Sequence, residues 1–84
     1  MYRTIKITAG MTSEYEIIWT NAPDELIENQ LAHNNQLEES GKEIVNPYGF
    51  IEAEGYICNI LGNSSSAENI DDLIIDKEFD YYDY

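Results

Sequence analysis

In a chain of 84 residues, seventeen Asp and Glu side chains stand against only four Lys and Arg, and the formal net charge is −13. This balance excludes direct nucleic-acid binding, which needs basic side chains to neutralise phosphates, and an anionic membrane surface would repel the protein too. The single cysteine, Cys58, excludes an intramolecular disulfide and a zinc cluster built from thiolates, and it favours a reducing compartment, the cytoplasm.

The first two predicted elements form a β-hairpin over residues 2–20. Residues 2–9 and residues 14–20 alternate apolar and polar side chains, which is the pattern of half-buried strands. The turn is expected at Gly10 to Ser13. On this alternation, one buried sheet face would carry Ile5, Ile7, Tyr15, Ile17 and Trp19.

A helix is predicted next, from about residue 22 to residue 39. Asn21 is the candidate N-cap, Pro23 lies in the first turn, and acidic residues occupy the positive end of the helix dipole. Gly41 suits the left-handed position after the helix. The apolar stripe expected to face the core comprises Leu26, Ile27, Leu31, Ala32 and Leu37.

The second half of the chain predicts shorter elements. A short helix is expected over Tyr48 to Glu54, ending at Gly55, and a buried strand over residues 56–61. A polar linker, Gly62 to Ser66, follows. Residues 65–68 match a capping box, and Ile70, Leu73 and Ile74 have helical spacing, so a final helix is predicted over about residues 66–75. The alternative is an extended segment from Leu73 to Phe79.

Together these elements predict an α+β fold with a small antiparallel three-stranded sheet and helices packed on one face, in the order β-β-α-α-β-α. Residues 1–66 would form the α+β core. Residues 67–84 would form an acidic C-terminal helix and a Tyr/Asp-rich tail of the same single domain. No apolar run approaches the roughly 18 residues of a membrane span, and residues 1–10 lack a signal-peptide core.

The pattern of reactive side chains does not favour an enzyme. His33 has no nucleophile or acid at a recognisable spacing and is interpreted as a surface or half-buried residue. Cys58 lies in an apolar run and is interpreted as an inert core thiol. Residues 76–80 have the first spacing of an EF-hand loop, but Tyr81 stands where that loop needs Gly. Neither a metal nor a cofactor is predicted.

The charge is concentrated at the C-terminal end, where residues 68–84 hold seven acidic side chains. In an extended segment, Asp76, Glu78 and Asp80 would lie about 6.6 Å apart on one side. Such an array can imitate the regular charges of DNA, and Tyr is enriched at interface hot spots. The predicted partner-binding residues are Glu68, Asp71, Asp72, Asp76, Glu78, Asp80, Tyr81, Tyr82, Asp83 and Tyr84.

The size, the acidity, the sheet-plus-helix pattern and the frequent Ile, Asn, Glu and Tyr resemble small phage counter-defence proteins of the anti-CRISPR and anti-restriction DNA-mimic type. The resemblance is one of composition over the whole chain. No family motif matches this sequence residue by residue. The resemblance implies an inhibitor acting in the bacterial cytoplasm on a basic nucleic-acid-binding protein, with a CRISPR effector nuclease as first choice.

Two other functions stay open from the sequence. The first is an acidic adaptor, or an antitoxin-like protein, that neutralises a basic partner without imitating DNA. The second is a phage structural or accessory protein with no nucleic-acid-binding target. Competition with DNA that depends on salt concentration would separate the DNA mimic from both.

Overall fold

The computed structural model describes residues 1–10, 13–66 and 70–80. The elements follow one another as two strands, two helices, a strand, a single turn of 3-10 helix and a last strand. Their bounds are β1 Arg3–Ala9, β2 Glu14–Thr20, α1 Asp24–Glu39, α2 Gly49–Ala53, β3 Cys58–Asn63, the 3-10 helix Ile70–Asp72 and β4 Lys77–Asp80.

The strands form one mixed sheet in the order β3-β2-β1-β4. β2 pairs antiparallel with β1 and with β3, while β4 pairs parallel with β1. The predicted α+β class and the helices on one face are confirmed, and the sheet gains a fourth strand. β4 forms because Phe79, which lies opposite Ile7, supplies the apolar side chain that covers the free edge of β1.

The register of the hairpin differs from the predicted one. Ile5 lies opposite Ile18, and Ile7 lies opposite Glu16, so the helix-facing side of β2 carries even-numbered residues. The predicted core position of Trp19 is therefore wrong, as is that of Tyr15, which shares its face. Ile17 is buried but lies on that same face, so its predicted place beside Ile5 and Ile7 is wrong too. Two adjacent isoleucines in β2 made either alternation possible, and the helices bury the side that carries Ile18.

The main core lies between this sheet face and the two helices. Ile5 and Ile18 from the sheet and Ile51 from α2 are fully buried. Leu26, Tyr56 and Cys58 pack against the core from its edge. The buried cluster comprises Ile5, Ile7, Ile18, Ala22, Ile27, Leu31, Tyr48, Ile51 and Phe79.

The predicted N-terminal cap of α1 is wrong, whereas its predicted C-terminal end is confirmed. Asn21 is not its N-cap, because its Oδ1 accepts a hydrogen bond from the Ile57 N–H at 2.8 Å; Pro23 occupies the N-cap position without a side-chain cap. The C-terminal prediction is confirmed, since Gly41 has φ +73°. Its N–H donates to the Glu38 carbonyl at 3.0 Å, and the Lys42 N–H donates to that of Leu37 at 2.9 Å.

β3 begins two residues later than predicted and is an edge strand, so the prediction of a buried strand is wrong. Ile57, just before it, is tied to the end of β2 because its carbonyl accepts a hydrogen bond from the Thr20 hydroxyl. β3 then runs into the predicted linker as far as Asn63. Because β3 has a neighbour on one side only, Ile60 is 55% exposed.

The predicted helix over residues 66–75 is wrong within the described residues, since only Ile70–Asp72 forms a 3-10 turn. The extended alternative is realised in part, because strand geometry starts at Lys77. Ile70 is buried on the sheet face opposite the helices, directly over Gly62. Gly62 lies opposite Ile17, which is 2% exposed, so Ile70 and Ile17 are both buried on this face of the sheet.

Candidate functional site

About half of the acidic side chains lie in the segment that contains both helices. Residues 24–54, which include both helices, hold eight acidic residues and one basic residue, a net charge of −7. No acidic side chain in the described part of the chain is buried. The exposed carboxylates in this segment belong to Glu25, Glu28, Glu38, Glu39, Glu43, Glu52 and Glu54.

The two paired strands β1 and β4 are, by contrast, electrically neutral together with Asp76. Residues 3–9 and 76–80 together carry three basic and three acidic side chains. Arg3 and Lys77 both bind the carboxylate of Asp24 at the start of α1, and Lys77 Nζ lies 2.9 Å from Asp24 Oδ2. The hydrogen bond from Arg3, followed by that from Lys77, lowers the pKa of Asp24 below its usual 3.8.

The structure brings together only part of the predicted partner-binding set. Glu78 and Asp80 point to the same side of β4, away from the helices. Glu78 Oε1 lies 3.8 Å from Lys6 Nζ, so part of its charge is neutralised within the chain. The carboxylate of Asp76 does not join them, because Asp76 Oδ2 accepts the Thr4 N–H at 2.8 Å.

The other predicted partner-binding residues lie either in the 3-10 turn or outside the described residues. Asp71 and Asp72 belong to the turn, and the side chain of Asp72 is exposed. Five predicted residues lie outside the described residues, so their part in a binding surface stays a prediction. They are Glu68, Tyr81, Tyr82, Asp83 and Tyr84.

A groove of about 220 Å³ between α1 and the end of α2 carries acidic residues that were not in the predicted set. Glu25 and Glu54 line it together with Leu26 and Tyr56. A pair of carboxylates beside an aromatic and an aliphatic side chain suits a basic side chain with an apolar stem. The sequence pattern could not have indicated this groove, since the position of Glu54 beside α1 depends on tertiary packing.

A larger cavity, of about 330 Å³, lies at the end of the sheet between β2, α1 and the segment before α2. The Glu16 carboxylate lies there and accepts a hydrogen bond from the Tyr48 hydroxyl. Asn34, buried in the wall, donates to the Pro47 carbonyl at 2.8 Å and holds that segment in place. The cavity is lined by Ile7, Ala9, Glu14, Tyr15, Glu16, Leu31, Asn34, Pro47, Tyr48, Asn63, Ser64 and Ser65.

Cys58 packs against the edge of the main core, and His33 packs against Phe50. Burial, reinforced by the carboxylates of Glu52 and Glu16, raises the pKa of the Cys58 thiol to about 12, so it is protonated at neutral pH. A protonated thiol is a poor nucleophile. His33 is half-buried, as predicted, with its ring centroid 4.6 Å from that of Phe50.

Among the described residues, no three His, Cys, Asp or Glu side chains are arranged to hold a metal ion. In the same part of the chain, no helix has the length and apolar character needed to span a membrane. Neither a protein-family model nor a curated protein nor a solved structure was found to match this chain.

Proposed function

We propose that this protein is an acidic inhibitor that binds a basic nucleic-acid-binding protein and blocks its DNA site. The partner we favour is a CRISPR effector nuclease in the bacterial cytoplasm, and the mode of inhibition is DNA mimicry. The observation that carries the proposal is the net charge of −7 on residues 24–54, where seven of the eight carboxylates are exposed and only Asp24 is bound by Arg3 and Lys77.

Two of these carboxylates are spaced along the axis of α1 at an interval comparable to the rise between phosphates. Glu25 and Glu28 are three residues apart on α1, which corresponds to about 4.5 Å along the helix axis. Successive phosphates of one DNA strand rise by about 3.4 Å. The groove beside Glu25 adds apolar surface from Leu26 and Tyr56, which DNA phosphates do not offer. A basic site built for DNA could therefore bind this face and gain apolar contacts as well.

A basic groove would also attract this domain from a distance. Long-range attraction speeds association, and screening by salt weakens it within a Debye length of about 8 Å at physiological ionic strength. Inhibition by DNA mimicry should therefore compete with DNA and decline as salt rises. Loss of an exposed carboxylate should lower mainly the association rate.

The test compares two triple variants that remove the same charge. One changes Glu25, Glu28 and Glu54 to Gln; the other changes Asp72, Glu78 and Asp80 to Asn or Gln. Each protein is titrated into a CRISPR effector nuclease bound to labelled target DNA, at several salt concentrations, with association rates measured directly.

We expect the helical variant to lose roughly tenfold or more in association rate, whereas the C-terminal variant, whose region already contains Lys6 and Lys77, should lose less. The reverse order would place the interface at the C-terminal acids that the sequence indicated. If the wild-type protein does not compete with DNA at any salt concentration, DNA mimicry is wrong and the acidic adaptor replaces it.

A further inference from the structure

Glu16 is a charged residue on the core-facing side of the sheet. It lies directly opposite the buried Ile7 and is itself only partly exposed. Its Oε1 accepts the hydrogen bond from Tyr48, which fixes the orientation of the carboxylate. Within the described part of the chain, no Lys or Arg side chain forms an ion pair with it.

Three of the chain's four Lys and Arg side chains contact other groups, and the fourth, Lys42, is exposed and does not line the cavity. Arg3 and Lys77 bind Asp24, and Lys6 lies over the ring of Tyr15, 4.4 Å from its centroid, on the sheet face opposite the helices. A carboxylate drawn partly out of water without a counter-charge costs free energy, which a cation from outside the chain can recover.

The cavity around Glu16 has the shape and lining for one kind of cation. Its volume, about 330 Å³, is at the lower end of the range of about 300–1,000 Å³ for small-molecule sites. Ile7, Leu31 and Pro47 contribute apolar walls, and Tyr48 contributes an aromatic ring. None of the residues that line it is basic.

A guanidinium group on a short aliphatic stem satisfies all of these features. It is planar, it can bind a carboxylate through two N–H groups, it stacks on aromatic rings, and it is less strongly hydrated than an ammonium. The apolar walls would contact the stem. A lysine ammonium would lose more hydration on entering such a site.

We propose that this cavity is a binding pocket for the side chain of an arginine, with Glu16 as the carboxylate that receives the guanidinium. The assignment of that arginine to the basic partner rests on the proposed function. Binding of the guanidinium itself does not, because it depends only on the residues of this chain.

The experiment uses two small probes of the same shape, n-butylguanidinium and the neutral n-butylurea, titrated into the ¹⁵N-labelled protein. We expect n-butylguanidinium to shift the amide signals of Glu16, Tyr48 and Ser64 in a saturable manner, and n-butylurea to bind at least tenfold more weakly. Glu16→Gln keeps an acceptor for Tyr48 and should weaken n-butylguanidinium binding about tenfold. The control, Asp72→Asn, removes an equal charge on the opposite side of the sheet and should have no effect.

Equal weakening by Asp72→Asn and Glu16→Gln would overturn the proposal, since it would mean that n-butylguanidinium responds only to net charge. Shifts spread over the acidic surface without saturation would do the same. If Glu16→Gln lowers the melting temperature, Tyr48→Phe is used as the test variant instead. An unchanged affinity of Tyr48→Phe for n-butylguanidinium would also count against the pocket. If n-butylguanidinium binds saturably but the protein does not compete with DNA, the pocket is supported and the proposed function is wrong. If the protein competes with DNA but n-butylguanidinium does not bind saturably, only the pocket is wrong.

Discussion

Ile18 and Trp19 are neighbours in β2, yet they contribute to different parts of the molecule. Ile18 is fully buried against the helices, whereas Trp19 is half-buried on the other face. There its ring stacks on Tyr2 with centroids 4.1 Å apart. Burial, rather than side-chain size, should therefore decide which truncation is more harmful.

We expect Ile18→Ala to cost about 2–5 kcal/mol, the usual cost of removing a fully buried aliphatic side chain. Trp19→Ala should cost less, because it removes an aromatic stack at a water-exposed face. Urea unfolding followed by far-ultraviolet circular dichroism measures both. A larger loss for Trp19→Ala than for Ile18→Ala would contradict the observed register of the hairpin.

Asp24, at the start of α1, forms ion pairs with Arg3 of β1 and Lys77 of β4. Because Arg3 and Lys77 lower its pKa, folding is favoured by the ionised form. That contribution is complete above the ordinary pKa of 3.8 and is lost as the pH falls through the lower folded value.

Asp24→Asn should therefore destabilise the protein at pH 7, and the difference from wild type should shrink as the pH falls below about 4. Urea midpoints across this range measure the change. Glu28→Gln, at an exposed acidic residue of the same helix, serves as the control. A difference for Asp24→Asn that stays constant down to the lowest pH would show that these contacts do not depend on the ionised carboxylate.

At the scale of elements, the contact between β3 and the 3-10 turn explains how the chain crosses the open face of the sheet. A methyl group at Gly62 would collide with Cγ2 of Ile70. Only glycine lets the turn approach closely enough to cover Ile17. This contact thus fixes the path of the chain before β4.

Gly62→Ala should cost about 1–3 kcal/mol through overpacking. In an Ile70→Ala background, which removes the colliding atom, the same substitution should cost much less, and the double-mutant cycle measures that coupling. Gly49→Ala is the matched control, because the nearest atom to an added methyl there is 3.7 Å away. Equal costs of Gly62→Ala in both backgrounds would rule out the contact.

At the scale of the whole molecule, a net charge of −13 opposes compaction. Screening of that repulsion should make the fold more stable as ionic strength rises. We expect the melting temperature to increase between about 10 mM and 150 mM sodium chloride, as measured by circular dichroism. A melting temperature that falls over this range would mean that the ion pairs at Asp24 and Glu78 outweigh the general repulsion.

The whole-molecule charge distribution also explains why the candidate site was only partly predictable. Acidic residues at 76–80 are dense in the sequence, but parallel pairing of β4 with β1 places Lys6 beside Glu78 and the Thr4 amide beside Asp76. Residues 24–54 have fewer acidic residues per length of chain, yet of their eight acidic side chains only Asp24 forms an ion pair with a Lys or Arg within the described residues. The density of acidic residues along the sequence therefore differs from the density of unpaired negative charge on the folded surface.

Local rules were enough to predict the α+β class, the hairpin strands, the extent of α1 and its end at Gly41. Hydrophobic periodicity and the left-handed preference of glycine act over a few residues, so they can be read from the chain. The same holds for net charge, which depends on composition alone.

Tertiary structure decided the face of β2 that is buried, the edge position of β3 and the conversion of a predicted helix into the 3-10 turn and β4. It also formed the cavity around Glu16, because Tyr48 and Leu31 reach it from distant parts of the chain. Each of these outcomes depends on contacts between residues far apart in sequence, where short-range patterns allow two solutions and the packing of the core selects one.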